Sequence, residues 1–511
     1  MKRLSGSITV FLSFVLTMVL GLFFTMSEVL RFFCLKKQTD RASLISVESC
    51  FADYCRPLWE EYGLLGVDLS YGKSELDKET FEKRFYRYLD ENGNADGTHF
   101  FQAYPKKAGL LDYSVLTDND FSGLVREAAK SVENNVGSDM ISMLSELTDK
   151  VKSAEERSGG LSDLVESGED VMNGNAPPAS VSTVPGSEPS EETKEKIRGC
   201  PNPLINVFPV GIGGILKTVL PVDADISKES LMISKSERAS RRTLESGTMQ
   251  TDAPKAHEKL LYDYWLSKTF RTYTQEAREN SVKYEMEYVI CGKDSDVENL
   301  KGTVWRLLLL REGLNMASIC KDSARVGETE TLALIIATLL TQPELKDVVK
   351  YVILALWSYV ESILDLRTLT DGGKVPLIKS PADWNSDLWT LITDIYTGRK
   401  AKEGSGLKVD YNGYLLAFAA MTPVKTSAGR ACDLMEEHIR RSEDYKNIRM
   451  DRLLYRGDLL AEYQAKPLFL SFVPLFTGEW KVYDFSYRRR LSYVDGEELL
   501  TASKGPPQEA G

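Results

Sequence analysis

The strongest constraint on this chain is an uncharged run of 20 residues, Ile8–Ser27, close to its first residue. An α-helix of this length crosses the roughly 30 Å hydrocarbon core of a bilayer. A cleavable signal peptide has a shorter apolar run, of about 7–15 residues, and small residues after it. Here the segment 29–33 follows with large side chains and a charge. The sequence therefore predicts a retained transmembrane anchor over residues 1–33 that carries a large polar body.

Small residues recur at every fourth position of this run: Thr9, Ser13, Thr17, Gly21 and Thr25. This spacing places them on one slowly drifting stripe of a helix. Small side chains let a second transmembrane helix approach closely, which predicts a face for membrane helix packing. The alternative is that the hydroxyl groups bond carbonyls one turn earlier in their own helix. The residues alone leave both interpretations open.

A pair of opposite charges marks the far edge of the predicted span. Glu28 and Arg31 are three residues apart and share one helix face. A carboxylate at this depth is costly unless it is paired, so we predict a Glu28–Arg31 pair at the membrane edge. The alternative is that Glu28 meets a cation of a partner subunit. Positive residues flank the span on both sides, so charge alone does not fix its orientation.

Beyond the membrane, the helix is expected to continue as a stalk. Apolar residues at three- and four-residue spacing predict a seam that packs on another helix, ending before Gly63: Leu44, Val47, Phe51, Tyr54 and Leu58. We expect a helical stalk region over 34–151 and a disordered linker, rich in Ser, Glu, Gly and Pro, over 152–200. A soluble α+β domain over 201–502 and a polar tail over 503–511 complete the predicted organisation.

The periodicity of apolar residues predicts the elements of the soluble part. Within 75–150 we expect mostly helix. The alternating run Tyr284–Ile290 is typical of a half-buried strand. Further helices are predicted at 257–279, 297–321, 331–340, 348–366 and 409–441, and further strands at 459–463, 468–472 and 480–487. The fold class is therefore α+β and mostly helical, with one N-terminal transmembrane helix and a small antiparallel sheet.

Motifs that would indicate catalysis are missing from the sequence. The three histidines, His99, His257 and His438, lie in separate segments without metal-ligand spacing. No phosphate-binding glycine loop and no nucleophile elbow occurs. The carboxylate pair Glu285 and Glu287 is more typical of an exposed strand face than of an acid–base site. We therefore predict no enzymatic activity, no cofactor and no metal site.

Composition narrows the range of partners. Acidic residues outnumber basic ones by 75 to 63, the formal net charge is −12 and no basic block occurs, which argues against a nucleic-acid partner. Seven cysteines without a CxxC pair do not indicate a disulfide framework. The expected partners are membrane lipid and other transmembrane helices. The sequence does not reveal whether a small molecule binds.

Two blocks of the sequence resemble a known group. The first is Gly6–Ser13 (GSITVFLS), with Glu28 and the WEEYGLL stretch of Trp59–Leu65; the second is 284–314, with GKVPL at 373–377. They resemble uncharacterised membrane-anchored proteins of clostridial bacteria, related at the N-terminus to TadE/TadG-like proteins of the tight-adherence pilus system. TadE-like proteins carry a glutamate five residues after a cleaved glycine, and Phe11 stands at that position here. The chain therefore resembles the uncleaved TadG-like members more.

This resemblance implies a non-enzymatic envelope protein with a cytoplasmic N-terminus and an extracytoplasmic body. The protein would be a component or accessory of a tight-adherence-type pilus or secretion system, with pilus-system subunits as partners. Two other hypotheses stay open. One is an extracytoplasmic ligand-binding or sensor module, and the other is an enzyme of unrecognised type.

Overall fold

The computed structural model of the protein describes residues 5–94, 101–137, 141–156, 214–278, 282–339, 343, 346–471 and 482–502. The chain forms two compact units. Unit 1 comprises residues 1–131, 242–254 and 439–511, and unit 2 comprises 132–241 and 255–438. Unit 1 is thus assembled from three separate stretches of the chain.

Unit 1 begins with helix α1, Ser5–Ala52, which runs for 48 residues without a break. The side chains of 8–22 are all exposed, whereas Leu35, Val47 and Phe51 are buried in the core of the unit. Helix α2, Arg56–Tyr62, has proline in its first turn and ends at Gly63, whose φ of 68° is the left-handed conformation of a helix cap. One helix therefore supplies both an exposed apolar rod and part of a packed core.

An antiparallel sheet packs against the second half of α1. Its strands are β1 (Val67–Asp68), β2 (Tyr104–Val115), β5 (Leu453–Ala465), β6 (Tyr483–Ser492) and β7 (Gly496–Ala502). Strand β5 is central and pairs with β1, β2 and β6, while β7 pairs with β6. The sheet therefore joins strands from the beginning and the end of the chain.

Helix α3, Lys78–Gly93, closes the core of unit 1 on the sheet and on α1. Asp77 begins the helix by accepting a hydrogen bond from the amide of Thr80 at 3.0 Å. Phe81, Phe85 and Leu89 are spaced by four residues and are all buried. Helix α4, Asp118–Glu133, starts with three residues, 119–121, that have positive φ values.

Unit 2 is largely helical. Its long helices are α9 (Asp296–Ile319) and α11 (Lys346–Thr370), which pack on each other, and α10 (Ser323–Leu339), which packs on α11. Around them lie a helix over 141–156 (α5), α6 (Ile215–Val219), α7 (Ala256–Thr269), α8 (Glu285–Cys291), α12 (Leu391–Tyr396), α13 (Tyr411–Met421) and α14 (Val424–Ile439). Strands β3 (Lys374–Pro376) and β4 (Lys408–Asp410) form an antiparallel pair.

The predicted fold class is confirmed, since the structure is 57% helical and contains one long N-terminal apolar helix and a small antiparallel sheet. The helices predicted at 257–279, 297–321, 331–340 and 348–366 correspond to α7, α9, α10 and α11, with shifted ends. The strands predicted at 459–463 and 480–487 correspond to β5 and β6.

Three local predictions are wrong. The run Tyr284–Ile290 forms helix α8, and the helix predicted at 409–441 is divided between α13 and α14 at Pro423. The described residues of 75–150 are mostly helical, but they also include the 12-residue strand β2, which the sequence pattern does not predict. Residues 468–471 form a turn after β5 rather than a strand. The predicted linker, 152–200, lies outside the described residues except for 152–156, which belong to α5, and the predicted tail also lies outside them.

Candidate functional site

The first half of α1 is long and apolar enough to cross a bilayer, and in this respect it stands alone in the part of the chain that the structure describes. The most apolar stretch of this helix is 0% buried, so its side chains do not belong to the core of either unit. A core helix of a soluble protein would be covered by its own chain. The exposed helix therefore fits a single-pass membrane anchor.

The predicted stripe of small residues lies on this exposed half. The hydroxyl groups of Ser13, Thr17 and Thr25 donate to the carbonyls of Val10, Ser13 and Gly21 over 2.7–2.8 Å. These bonds are the local ones of the second interpretation. These bonds leave the stripe accessible to a partner helix, because a Cβ added at Gly21 would meet nothing within 4 Å. A helix-packing role for Thr9, Ser13, Thr17, Gly21 and Thr25 stays a prediction.

Glu28 and Arg31 meet where the exposed half of α1 ends. Arg31 Nη1 donates to Glu28 Oε1 at 3.0 Å, and the two side chains are only 3% and 2% exposed. The pair also binds the turn after β5. Glu28 Oε2 accepts from the amides of Leu468 at 3.0 Å and Phe469 at 2.6 Å, and Arg31 Nη1 donates to the carbonyl of Lys466 at 2.9 Å. We call this arrangement the anchor junction.

Aromatic rings flank the anchor junction on both sides. Phe24 stacks on Phe469 with ring centroids 6.4 Å apart. Directly after Arg31, Phe32 meets Tyr483 edge-on with ring centroids 5.2 Å apart, and it packs on the tilted ring of Phe485 at 5.5 Å. Burial raises the pKa of Tyr483 to about 12, with the Glu28 carboxylate adding to the effect. The anchor is thus fixed to the sheet by packing as well as by charge, and is not a flexible tether.

The predicted seam of apolar residues does not follow one helix. Helix α1 ends at Ala52, so Tyr54 lies in the connection and Leu58 in α2. Val47 and Phe51 are buried in the core of unit 1, and Leu44 is half-buried. The three- and four-residue spacing predicts a continuous helix because no glycine or proline interrupts residues 44–56. The buried members of the seam on α1, Val47 and Phe51, lie in the core that this helix forms with the chain's own sheet and α3.

A fully buried ion network, formed by Arg311, Glu361, Asp365 and Lys379, lies at the centre of unit 2. Arg311 Nη2 contacts Asp365 Oδ2 at 2.7 Å, Lys379 Nζ contacts Asp365 Oδ1 at 2.6 Å, and Lys379 also pairs with Glu361. All four side chains are 0% exposed. Two cations balance two anions, so the ion network is neutral as a whole.

The ion network also holds the backbone around it. Arg311 Nη1 donates to the carbonyls of Pro376 and Leu377, each at 3.0 Å. Glu361 Oε2 accepts from the amide of Ser386 at 2.8 Å and from its hydroxyl at 2.6 Å. Burial opposes charge on Asp365, but the nearby Arg311 and Lys379 cations outweigh it and hold the pKa of that carboxyl below its usual value. The ion network therefore stays charged and rigid.

A groove of about 840 Å³ lies next to the ion network in unit 2. Leu314 and Ala317 of α9 and Leu260 of α7 contribute apolar surface, and Ser145 and Asp149 of α5 contribute polar groups. Leu377 and Ile378 form another wall, and Arg311 holds Leu377 through its carbonyl. This combination of an apolar floor and a few polar groups is typical of small-molecule or peptide sites.

Glu285 and Glu287 were predicted to face solvent on a strand. They lie instead on α8, where both are buried. Glu285 accepts from the amide of Arg271 at 2.9 Å, and Glu287 accepts from the amide of Tyr273 and the hydroxyl of Tyr411, each at 2.9 Å. Burial, the largest influence, raises the pKa of Glu287 to about 7. The pair attaches the connection before α8 to this helix.

Thiol chemistry is not activated near this pair. Cys291 follows Glu287 by one helical turn and contacts the hydroxyl of Thr303 at 3.3 Å. Burial raises the pKa of the Cys291 thiol, so the reactive thiolate is disfavoured. The six described cysteines are free thiols: Cys34, Cys50, Cys55, Cys291, Cys320 and Cys432. No group of three or more potential metal ligands occurs among the residues with described positions.

Sequence reasoning missed the ion network and the groove. Glu361 and Asp365 are spaced by four residues directly after an apolar helical run, and Arg311 follows four consecutive leucines. Charged residues next to such apolar helical runs indicate side chains that are buried and paired with opposite charges. Nothing in the sequence shows which partner each one meets, because the cation of Lys379 comes from a connection outside the helices.

Comparison with known proteins places the chain in a family. Residues 191–465 match the family described as "Family of unknown function (DUF5702)". This range covers more than half of the chain and includes α6 to α14 and β5. The comparisons with curated proteins and with solved structures gave no match.

Proposed function

The chain belongs to the Family of unknown function (DUF5702), and we propose that it acts as a non-enzymatic protein of the cell envelope, held by a single membrane-spanning helix. The observation that carries this proposal is the continuity of α1. One unbroken helix holds an exposed apolar half and a half packed into a folded core. An anchor of this kind transmits position and force between the bilayer and the folded body.

The proposal includes an orientation, with a cytoplasmic N-terminus and an extracytoplasmic body. It also includes a role as a TadG-like component or accessory of a tight-adherence-type pilus or secretion system. The support for both is the resemblance of the N-terminal block Gly6–Ser13 and of Glu28 to that group. In this role, the small residues of α1 would contact the transmembrane helices of other pilus-system subunits.

Orientation can be tested with a membrane-impermeant maleimide on intact cells. Val222 is fully exposed in unit 2, so V222C reports on the body of the protein. Lys2→Cys reports on the N-terminal side. Cys34→Ser removes an exposed native thiol from the background, and Cys200→Ser removes the thiol that lies outside the described residues. We expect labelling of V222C in intact cells, and of K2C only after lysis. The reverse pattern, or a protein recovered in the soluble fraction, would refute the proposed location.

The pilus role is tested separately. Deletion of the gene should reduce surface filaments and adhesion, and normal filaments would refute this role. S13L with G21L fills the stripe and should reduce co-purification with a membrane partner. The matched control, V15L with V19L, adds leucines elsewhere on the exposed half of α1. Equal co-purification in all three proteins would show that the stripe is not a packing face.

The groove in unit 2 favours a second candidate, an extracytoplasmic ligand-binding module. Its apolar floor at Leu314 and Ala317 would receive the apolar part of a ligand. Native mass spectrometry of the full chain should then detect a co-purified small molecule. Ala317 is exposed, so A317W fills the groove without disturbing the core, while A324W places the same side chain outside it. Loss of the bound molecule in A317W alone would support this candidate; an empty wild-type protein would refute it.

A further inference from the structure

Three strand ends of unit 1 lie together at the level of the anchor junction. Strand β5 ends at Ala465, which pairs with Tyr483 at the start of β6. Strand β2 begins at Tyr104, which pairs with Gln464 of β5. The turn that follows β5 then reaches Glu28 through the amides of Leu468 and Phe469. This edge of the sheet therefore lies where the apolar half of α1 emerges.

The side chains at this edge have an unusual character for the surface of a soluble unit. Tyr104 is 49% and Leu468 41% exposed, Phe469 is partly exposed, and Lys466 is exposed beside them. We call these four residues the junction rim. Aromatic rings, aliphatic side chains and lysine together are the composition that proteins place at the boundary between headgroups and acyl chains.

The position of the junction rim along α1 matches that boundary. Phe469 stacks on Phe24, which precedes Glu28 by four residues and therefore lies about 6 Å further into the apolar half of the helix. Segments at a membrane interface bury their apolar face by about 5–10 Å. The junction rim is thus continuous with the helix surface that crosses the bilayer.

We propose that the junction rim is a second membrane-contact site, which seats unit 1 on the interfacial layer of a phospholipid bilayer beside α1. The inference rests on the proposed anchoring by α1. Tyr104, Leu468 and Phe469 enter the layer between headgroups and acyl chains, and Lys466 remains at the phosphates. The Glu28–Arg31 pair is the device that holds the rim at this depth, because it binds the backbone of the rim directly.

The test measures depth with lipid-borne quenchers. The full chain, in a C34S and C200S background, is reconstituted into vesicles of phosphatidylcholine and phosphatidylglycerol and labelled with an environment-sensitive fluorophore at a single introduced cysteine. The rim variant is L468C. The matched control is L499C, with a similar exposure of 43%. Leu499 pairs with Arg489, which binds Asp40 of α1, about 18 Å along the helix from Glu28. L16C reports on the span itself.

We expect shallow doxyl lipids to quench L468C several-fold more strongly than L499C, and deep doxyl lipids to quench L16C. Quenching of L16C without quenching of L468C would overturn the rim proposal and leave the anchor intact. A lack of quenching at L16C would instead refute the anchor. If L468C is shielded from water but not quenched, and the protein self-associates, a second copy covers the rim and the proposal is wrong.

Discussion

Removal of the Lys379 cation is the sharpest test of the ion network. Lys379 is the cation that contacts Asp365 Oδ1, at 2.6 Å, and it also pairs with Glu361. Lys379→Met retains most of the side-chain volume and removes the charge. The variant leaves two carboxylates and one guanidinium in a region where all of these side chains are 0% exposed. The network then carries an uncompensated negative charge.

The expected cost follows from the contacts that survive. Breaking a buried ion pair by removing one partner costs about 3–5 kcal/mol. Asp365 keeps Arg311 and Asn315 on its Oδ2 atom, and Glu361 keeps the groups of Ser386. We therefore expect the lower end, about 3 kcal/mol in the free energy of unfolding of unit 2. This is a large part of the roughly 5–15 kcal/mol typical of a folded domain.

The assay is urea unfolding of the full chain followed by tryptophan fluorescence. Five of the seven tryptophans lie in unit 2: Trp265, Trp305, Trp357, Trp384 and Trp389. The sign of the pH dependence is a second readout. In wild type, the lowered pKa of Asp365 gives stability that is present above its unfolded pKa and is lost as pH falls through the folded pKa. In the variant the pKa of Asp365 rises, so the deficit relative to wild type should shrink on acidification.

Two further variants separate charge from simple damage. In Lys379→Met with Glu361→Gln, the excess charge is gone while the acceptor for Ser386 remains, so this protein should be more stable than K379M alone. Lys346→Met removes one partner of a partly exposed ion pair with Glu330 and should leave the unfolding midpoint unchanged. A K379M protein within 1 kcal/mol of wild type would refute the reasoning, because a buried charge would then have been stranded at almost no cost.

Three other predictions follow from the local contacts. The pKa of Glu287 in the folded protein, about 7, lies above its value in the unfolded chain. The free energy of unfolding should therefore fall as pH rises from the usual carboxyl range to about 7. In urea titrations at several pH values, Glu287→Gln should show a flatter pH dependence than wild type. A Cβ at Gly247 would clash with the carbonyl of Tyr113, so Gly247→Ala should lower the thermal midpoint of unit 1 by the equivalent of about 1–3 kcal/mol. Gly109→Ala, also in unit 1, would place its Cβ no nearer than 3.9 Å to another group and should not lower the midpoint; equal midpoints in the two variants would contradict this. Glu28→Ala removes the acceptor of two amides in the turn after β5, so those amides should exchange hydrogen faster than in wild type. The control is Glu48→Ala, at an exposed position of α1. Unchanged exchange in Glu28→Ala, or an equal increase in Glu48→Ala, would show that the anchor junction does not hold the turn.

The long apolar helices of this fold are predictable because their pattern repeats over several turns. The short elements are not. Helix α8 has only seven residues, about two turns, and its apolar side chains alternate with glutamates that are buried by contacts from elsewhere. The alternation therefore has the period of a strand although the backbone is helical.

Strand β2 shows the opposite failure. Its pairing with β5 shifts register between Pro105 and Lys107, between Leu110 and Asp112, and between Ser114 and Val115. Each irregularity breaks the two-residue alternation by which a strand is recognised. Two lysines and a glycine in the strand obscure the pattern further.

Only the Glu28–Arg31 contact of the anchor junction is predictable from the sequence. The spacing of Glu28 and Arg31 predicts that they can meet, and the structure places them 3.0 Å apart. That their remaining groups bind Lys466 and Leu468 could not be foreseen, because these residues follow more than 400 positions later. Long-range pairing is set by the complete tertiary structure and leaves no local trace in the sequence.

The divided construction of unit 1 has a consequence for biosynthesis. The chain leaves the ribosome from its N-terminus, and the central strand β5 follows the end of β2 by about 340 residues, which at roughly 5–20 residues per second is a delay of tens of seconds. During that interval unit 2 can become complete while β2 and the inner face of α1 still wait for their partner. A nonsense mutation between Val115 and Leu453 would thus yield a product that keeps the apolar N-terminal helix but carries an aggregation-prone half-sheet next to the bilayer.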